Sequence, residues 1–167
     1  LKSNDNIYHN LKRTEKLINI AVKQKADFIL TPEASSTFSL NKKKLLEICR
    51  PMNQDIYLIG LRKLAKRHKK WILIGSIITK VGKNKLVNRS VLIDKDGKVR
   101  SYYDKIHMYD VVLSKKEKYF ESKIFKSGNK IKITRLPWGK LGLSICYDLR
   151  FPGMYKKMSK KGAIFIS

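Results

Sequence analysis

The chain has few of the residues that staple small proteins together. Among its 167 residues are two cysteines, Cys49 and Cys146, and three histidines. Two thiols make no disulfide framework for a domain of this size, and three scattered imidazoles give no metal-ligand spacing. A reducing cytoplasm and a metal-free site are the expectations. Four prolines and nine glycines form no linker, and there is no internal repeat or low-complexity tract, so residues 1–167 read as a single domain or a piece of one. No apolar run approaches the ~18 residues of a membrane span, and the first residues lack the apolar core of a secretory signal. No membrane partner is therefore expected.

Negative charge is scarce as well. Thirteen Asp and Glu face 38 Lys and Arg, a formal charge of +25, which invites a nucleic-acid reading. The basic residues are nevertheless spread along the chain, at Lys42-Lys43-Lys44, Lys66-Arg67-His68-Lys69-Lys70, Lys115-Lys116 and from Lys156 to Lys161. They build no single tail or recognition helix. Lysine outnumbers arginine, giving point charges in place of the planar forks that read bases. Nucleic acid is expected to bind only non-specifically, through charge.

The chain does contain alternating helix and strand patterns. Apolar residues from Ile7 to Val22 recur near the helical period behind possible caps at Ser3, Asn4 and Asp5, and a second amphipathic helix is predicted from Asp55 to Lys69, with His68 half-buried on its face. Phe28 to Thr31 is a short strand ended by Pro32. Trp71 to Thr79 is too apolar for a one-sided strand and should lie centrally, covered on both faces. Lys85–Asp94 and Val99–Tyr103 form a hairpin around Asp96-Gly97. Ile131–Arg135 and Lys140–Ile145 are two further strands, Pro152 opens a helix to about Lys160, and Ala163–Ser167 starts another strand. The fold class is α/β.

Three chemically capable side chains fall at or just after strand ends: Glu33, Lys105 and Cys146. In open α/β sheets that edge carries the ligands. Cys146 stands between an apolar strand and a helix start, where unpaired backbone N–H groups can lower a thiol pKa and bind an oxyanion. Taken singly, each of the three is equally a surface or core residue.

Their surrounding blocks, taken together, resemble the nitrilase superfamily of carbon–nitrogen hydrolases. Leu30-Thr31-Pro32-Glu33 is similar to that family's first catalytic block, Tyr103-Asp104-Lys105-Ile106-His107-Met108 to its lysine block, and Leu143-Ser144-Ile145-Cys146-Tyr147-Asp148-Leu149-Arg150-Phe151-Pro152 to its nucleophile block. Asn88-Arg89-Ser90, Tyr119-Phe120-Glu121 and Ser127-Gly128-Asn129 resemble landmarks between them. The spacing of Glu121 from Lys105 is similar to that of the second active-site glutamate in the Nit-type amidase branch.

The resemblance implies an α-β-β-α sandwich and a catalytic set of Glu33, Lys105, Glu121 and Cys146. It also implies hydrolysis of a small amide by water through a cysteine thioester, without metal or organic cofactor. Glu33 would be the base, Lys105 and the Tyr147 N–H the oxyanion partners, and Glu121 the group that orients Lys105. Substrates of the branch include deaminated glutathione and α-keto acid amides. Arg150 is a candidate carboxylate binder, or simply pins the turn beside Asp148, and Tyr147 is a candidate pocket residue. His107 reads as a supporting residue and Cys49 as structural.

Members of the family begin with a core strand before the position of Leu1, continue past Ala163–Ser167, and more often carry an acidic residue where this chain has Gly153. The resemblance thus implies a partial domain over 1–167, lacking a first strand, a C-terminal part and the homo-oligomer contact of the complete enzyme. Two rival readings are an inactive fragment of such an enzyme and a basic nucleic-acid-binding module.

Overall fold

Residues 1–167 are described by a computed structural model. Helix α1, Ile7–Lys23, starts where the Asn6 side chain accepts from the His9 N–H, one residue after the caps expected from sequence. Its buried stripe, Asn10, Thr14 and Ile18, follows the four-residue spacing of a helix face. Helix α3, Ile56–His68, is capped by Asp55, which accepts from the Leu58 N–H at 2.8 Å. It ends on Lys69 in the left-handed conformation, φ 53°. Between them lies α2, Lys42–Ile48, seven residues too short and too basic to show a helical period in the sequence.

Four strands form one sheet in the order β1-β2-β3-β4: β1 Phe28–Leu30, β2 Trp71–Lys80, β3 Leu86–Ile93 and β4 Val99–Asp104. β1 runs parallel to β2, and the rest is antiparallel. A second sheet pairs β7 Lys132–Leu136 with β8 Gly139–Leu143, and β8 with β9 Phe165–Ile166. Helix α4 spans Pro152–Lys160. A small hairpin of β5 Asp110–Val112 and β6 Lys118–Phe120 was not evident in the sequence, because its strands are three residues long and largely exposed.

The strand period of two sorts the core into layers. Ile72 and Ile74 face α1 and α3, packing with Ile18, Leu58, Leu61 and Leu64. Leu73, between them, faces the opposite way with Leu92 and Tyr103, toward Leu141 and Leu143 of the second sheet, Ile145 just after it, and Met154 and Met158 of α4. Each fully buried aliphatic side chain here contributes about 1.5–3 kcal/mol. The order of layers is helix, sheet, sheet, helix, as the resemblance implied. β2 is covered on both faces, as its unbroken apolar run required.

One irregularity matters for the site. The β2–β3 register shifts between Ile74 and Ile77, so the face-to-face alternation slips by one. Ile77 then joins the helix-facing core, while Ile78 turns to Leu45, Cys49 and Leu86. A bulge of this kind re-aims side chains and opens backbone groups to a neighbour.

Candidate active site

That neighbour is the segment carrying Glu33. The Thr31 N–H donates to the Leu73 carbonyl, Ser76 N–H to Pro32 O, and Ser35 N–H to Ser76 O. The Gly75 N–H reaches Thr31 Oγ1, the Ala34 N–H reaches Ser76 Oγ, and the Ile78 N–H reaches Ser36 Oγ. Glu33 therefore sits on a loop buttoned along the bulge. The two segments lie so close that a Cβ on Gly75 would stand 2.1 Å from the Thr31 carbonyl oxygen. Only glycine fits there.

Lys105 follows the last residue of β4. Its N–H donates to Asn88 O on β3, and its carbonyl accepts from the Gly128 N–H. Gly128 is packed so tightly that a Cβ would lie 2.2 Å from the Asp104 carbonyl oxygen. Just before it, Asp104 takes a two-pronged ion pair from Arg89, at 2.6 and 2.8 Å. The lysine backbone is thus held on both sides before its side chain enters the interior.

Cys146 is reached through β8, at the start of a 3-10 turn, Cys146–Arg150, that precedes α4. The helix opens at Pro152, as its proline indicated, so the turn separates Cys146 from the helix start. Cys146 takes a left-handed conformation, φ 45°, a strained state for a residue with a Cβ. Asp148, fully buried, over-determines this turn. It accepts from the Ile145 N–H and Tyr103 OH through Oδ2, and its Oδ1 meets the His107 N–H and His107 Nδ1. The Tyr147 N–H donates to no acceptor in the chain.

The three elements converge on one cavity of about 330 Å³ whose lining includes Glu33, Lys105, Glu121, Asn88 and Cys146. Lys105 is only 2% exposed. Its Nζ lies 3.1 Å from Glu33 Oε1 and 3.0 and 2.9 Å from the two Glu121 oxygens. Glu121 is itself fixed by the Tyr109 N–H at 2.7 Å, and Glu33 by Asn88 Nδ2 at 2.7 Å. Burial by itself drives the Lys105 pKa down, but the adjoining charges of Glu33 and Glu121 outweigh it and leave the pKa above its ordinary value. The ammonium is stable because it is shared.

For Cys146 the balance runs the other way. Burial raises its pKa and the negative charge of Glu33 adds to the effect, against a weaker opposing pull from Lys105. The depressed thiol pKa anticipated from the helix start is not what the surroundings produce. Partial desolvation and the nearby Glu33 carboxylate both favour the protonated sulfur, so attack by Cys146 calls for a base. Cys49 is buried, and its pKa is pushed up to about 12.

Arg150 and Tyr147 lie outside this cavity. Arg150 lines a separate depression with His107, Asn129 and Lys157, and the turn-pinning bonds of Asp148 go to Tyr103 and His107, not to it. The Tyr147 ring packs edge-on against Tyr109 and Phe151. His107 stacks on Phe151 at 3.6 Å, in keeping with a supporting place. A larger depression, about 560 Å³, is lined by Asp5, Lys44, Glu47, Arg50 and Asp55 and holds no nucleophile. No cluster of three metal-ligating side chains is present, and no helix is long and apolar enough to cross a membrane.

A family model for carbon-nitrogen hydrolases matches residues 3–167. The chain belongs to the carbon-nitrogen hydrolase family. Within the nitrilase superfamily its relatives are Nit-type amidases. This carbon-nitrogen hydrolase chain is 31% identical to the deaminated glutathione amidase of Yersinia enterocolitica, covering 100% of this chain and 59% of that protein. It is 32% identical to the deaminated glutathione amidase of Dictyostelium discoideum, covering 98% and 58% respectively. Against the omega-amidase NIT3 of Saccharomyces cerevisiae the identity is 31%, covering 92% and 55%. The hydrolase chain thus spans less than two thirds of these relatives' length. The crystal structure of the Caenorhabditis elegans NitFhit protein superposes with a TM-score of 0.90 at 30% identity, over 99% of this chain and 41% of that one. A glutamate-to-glutamine mutant of an amidase from Nesterenkonia sp. AN1, at 22% identity and a TM-score of 0.83 over 98% of this chain and 61% of that one, shares the fold; in that mutant acrylamide has added to the active-site cysteine.

Asn88, Asp148 and Gly75 were not singled out by sequence reasoning as site-forming. Asn88 was legible only as part of a family landmark. Gly75 left a signal in hindsight, as a lone glycine inside an otherwise apolar β-branched strand.

Proposed function

We propose that residues 1–167 carry the catalytic centre of an amidase that cleaves small linear amides through a cysteine thioester. The observation that carries the reading is the buried Lys105, held charged between Glu33 and Glu121 in the cavity that also receives Cys146. A buried cation stabilised at such cost in desolvation is suited to meet negative charge that develops only during reaction.

Glu33 takes the proton of the Cys146 thiol as sulfur attacks the amide carbon. The oxyanion forms beside Lys105 and the free Tyr147 N–H. Collapse breaks the C–N bond, Glu33 returns the proton to nitrogen, and ammonia leaves. Water, deprotonated by the same carboxylate, then attacks the thioester carbon, and sulfur departs to recover its proton as the acid is released. Glu121 keeps Lys105 charged and aimed. The names of the relatives point to ω-amides of carboxylic acids as the substrate class; a primary ω-amide releases ammonia by these steps, whereas deaminated glutathione, whose amide nitrogen belongs to a cysteinylglycine unit, releases that amine in its place.

The test is to incubate the chain with such amides, measuring ammonia release and intact mass. An acyl adduct confined to Cys146, lost in Cys146→Ala and suppressed in Glu33→Gln, is expected. Equal, slow thiol labelling of Cys146 and Cys49 in the folded protein, with no adduct, would sink the proposal.

A further inference from the structure

The catalytic cavity contains one cation, and it is already committed. Among the lining residues only Lys105 carries positive charge, and Glu33 and Glu121 share it. A carboxylate on the acyl chain, if placed at that depth, would meet two others. Much of the remaining wall is apolar, with Phe38, Leu40, Leu45, Phe120, Ile124 and Phe125. An anionic end has to lie beyond that wall.

A pair of lysines stands outside the lining, next to it in the chain. Lys42 opens α2, three residues before Leu45, and Lys123 closes the 3-10 turn Glu121–Lys123, next to Ile124. Lys42 Nζ donates to the Lys123 carbonyl at 2.8 Å, and Lys123 Nζ stands 4.4 Å from the Phe120 ring centroid. Neither takes part in a salt bridge with a carboxylate. An ammonium has three donors, so Lys42 keeps two after bonding the carbonyl. Both side chains are exposed, yet the bond between their segments holds them at the same rim.

We propose that Lys42 and Lys123 form the carboxylate-recognising end of the acyl pocket. They take the terminal carboxylate of an ω-amide whose apolar chain lies along the wall between the rim and Cys146. The assignment rests on the amide-hydrolase reading for its purpose, but its binding chemistry can be read without turnover. It confers selectivity on length as well as charge: an acid too short to clear the apolar wall leaves its carboxylate beside Glu33 and Glu121.

The experiment is competitive alkylation of Cys146 by two iodoacetyl reagents of equal length. One is 6-(iodoacetamido)hexanoate and the other its terminal amide, with labelling followed by mass spectrometry at low salt. The anionic reagent is expected to react faster by about tenfold, the scale of one or two charge-assisted hydrogen bonds. That preference should collapse in Lys42→Ala/Lys123→Ala and persist in Lys63→Ala/Lys156→Ala, which removes the same charge from distant exposed positions. Equal preference in the two double variants would overturn the assignment, because the general field of a +25 chain would then explain it. With amides, the rim variant should raise KM for a dicarboxylic monoamide, leaving kcat and the neutral amide unchanged. Absence of ammonia from any amide would sink the hydrolase reading instead, with the alkylation ratio still deciding the role of the two lysines.

Discussion

Replacing Gly75 with alanine puts a methyl group where another segment's backbone already lies. The added carbon would be 2.1 Å from Thr31 O, 2.6 Å from the Pro32 carbonyl carbon and 2.7 Å from its oxygen. None of these atoms can rotate away as a side chain would, so the loop carrying Glu33 must retreat by about 1 Å from a close-packed contact. Such overpacking costs about 1–3 kcal/mol. The bonds of Gly75 N–H to Thr31 Oγ1 and Ser76 N–H to Pro32 O are stretched with it, each a further loss of about 1 kcal/mol at most. Urea denaturation of Gly75→Ala should accordingly show about 2–4 kcal/mol less stability. Glu33 shifts relative to Asn88 and Lys105, and a displacement of that size at a reacting group costs about 100-fold, to be read as the rate of acyl-enzyme formation at Cys146. An unchanged urea midpoint together with an unchanged acylation rate would refute the claim that this contact positions the base.

Other perturbations separate the remaining parts. Lys105→Met strands two neighbouring carboxylates and should destabilise the fold by about 3–5 kcal/mol near neutral pH; melting at pH 4 should recover much of the loss as they protonate. Asp55 is buried with its pKa pushed up to about 6 by desolvation, above its unfolded value. Its contribution is therefore fully present below about pH 4 and is lost as pH rises through about 6. Asp55→Asn should be the more stable protein at pH 8 and show a flatter pH dependence of the denaturation midpoint. The rate of Cys146 alkylation should rise only above the ordinary thiol range, and Glu33→Gln should move the inflection down, while Cys49 stays unlabelled until the protein unfolds. Tyr103→Phe removes the hydroxyl that donates to Asp148 and accepts from the Ile106 N–H. A loss of about 1–3 kcal/mol, seen by denaturation with near-normal Cys49 protection, is expected.

Strand ends were the most legible part of the site, because period-two apolar runs announce where a strand stops and hence where its next side chain emerges. Periodicity put Glu33, Lys105 and Cys146 at such ends, the resemblance of their surrounding blocks singled them out as a set, and the structure brings them to one cavity. Glu121 could not be found so: it belongs to a 3-10 turn after a three-residue exposed strand, and only family resemblance pointed to it. Nor does periodicity show how loops fasten to one another. The buttoning of the Glu33 loop on the β2 bulge, and the three contacts that Tyr103 and His107 make with Asp148, join segments more than 40 residues apart through backbone groups and single polar atoms. Arg150, a candidate carboxylate binder or turn pin by sequence, lines a separate depression. Proximity in sequence to the nucleophile suggested a place in the pocket, but the turn after Cys146 carries its side chain to another face.

The shared lysine has a consequence for what leaves the site. Glu33 and Glu121 against Lys105 give three buried or half-buried groups a combined charge of −1 when the thiol is neutral. An amide enters such a chamber without electrostatic cost, since it has no charge there. Hydrolysis turns that same end into an anion, created beside two others of its kind within a chain whose net formal charge is +25. Under the proposed chemistry, each turnover therefore manufactures its own eviction force: repulsion at the floor and attraction outside combine to clear the acid before the next amide arrives.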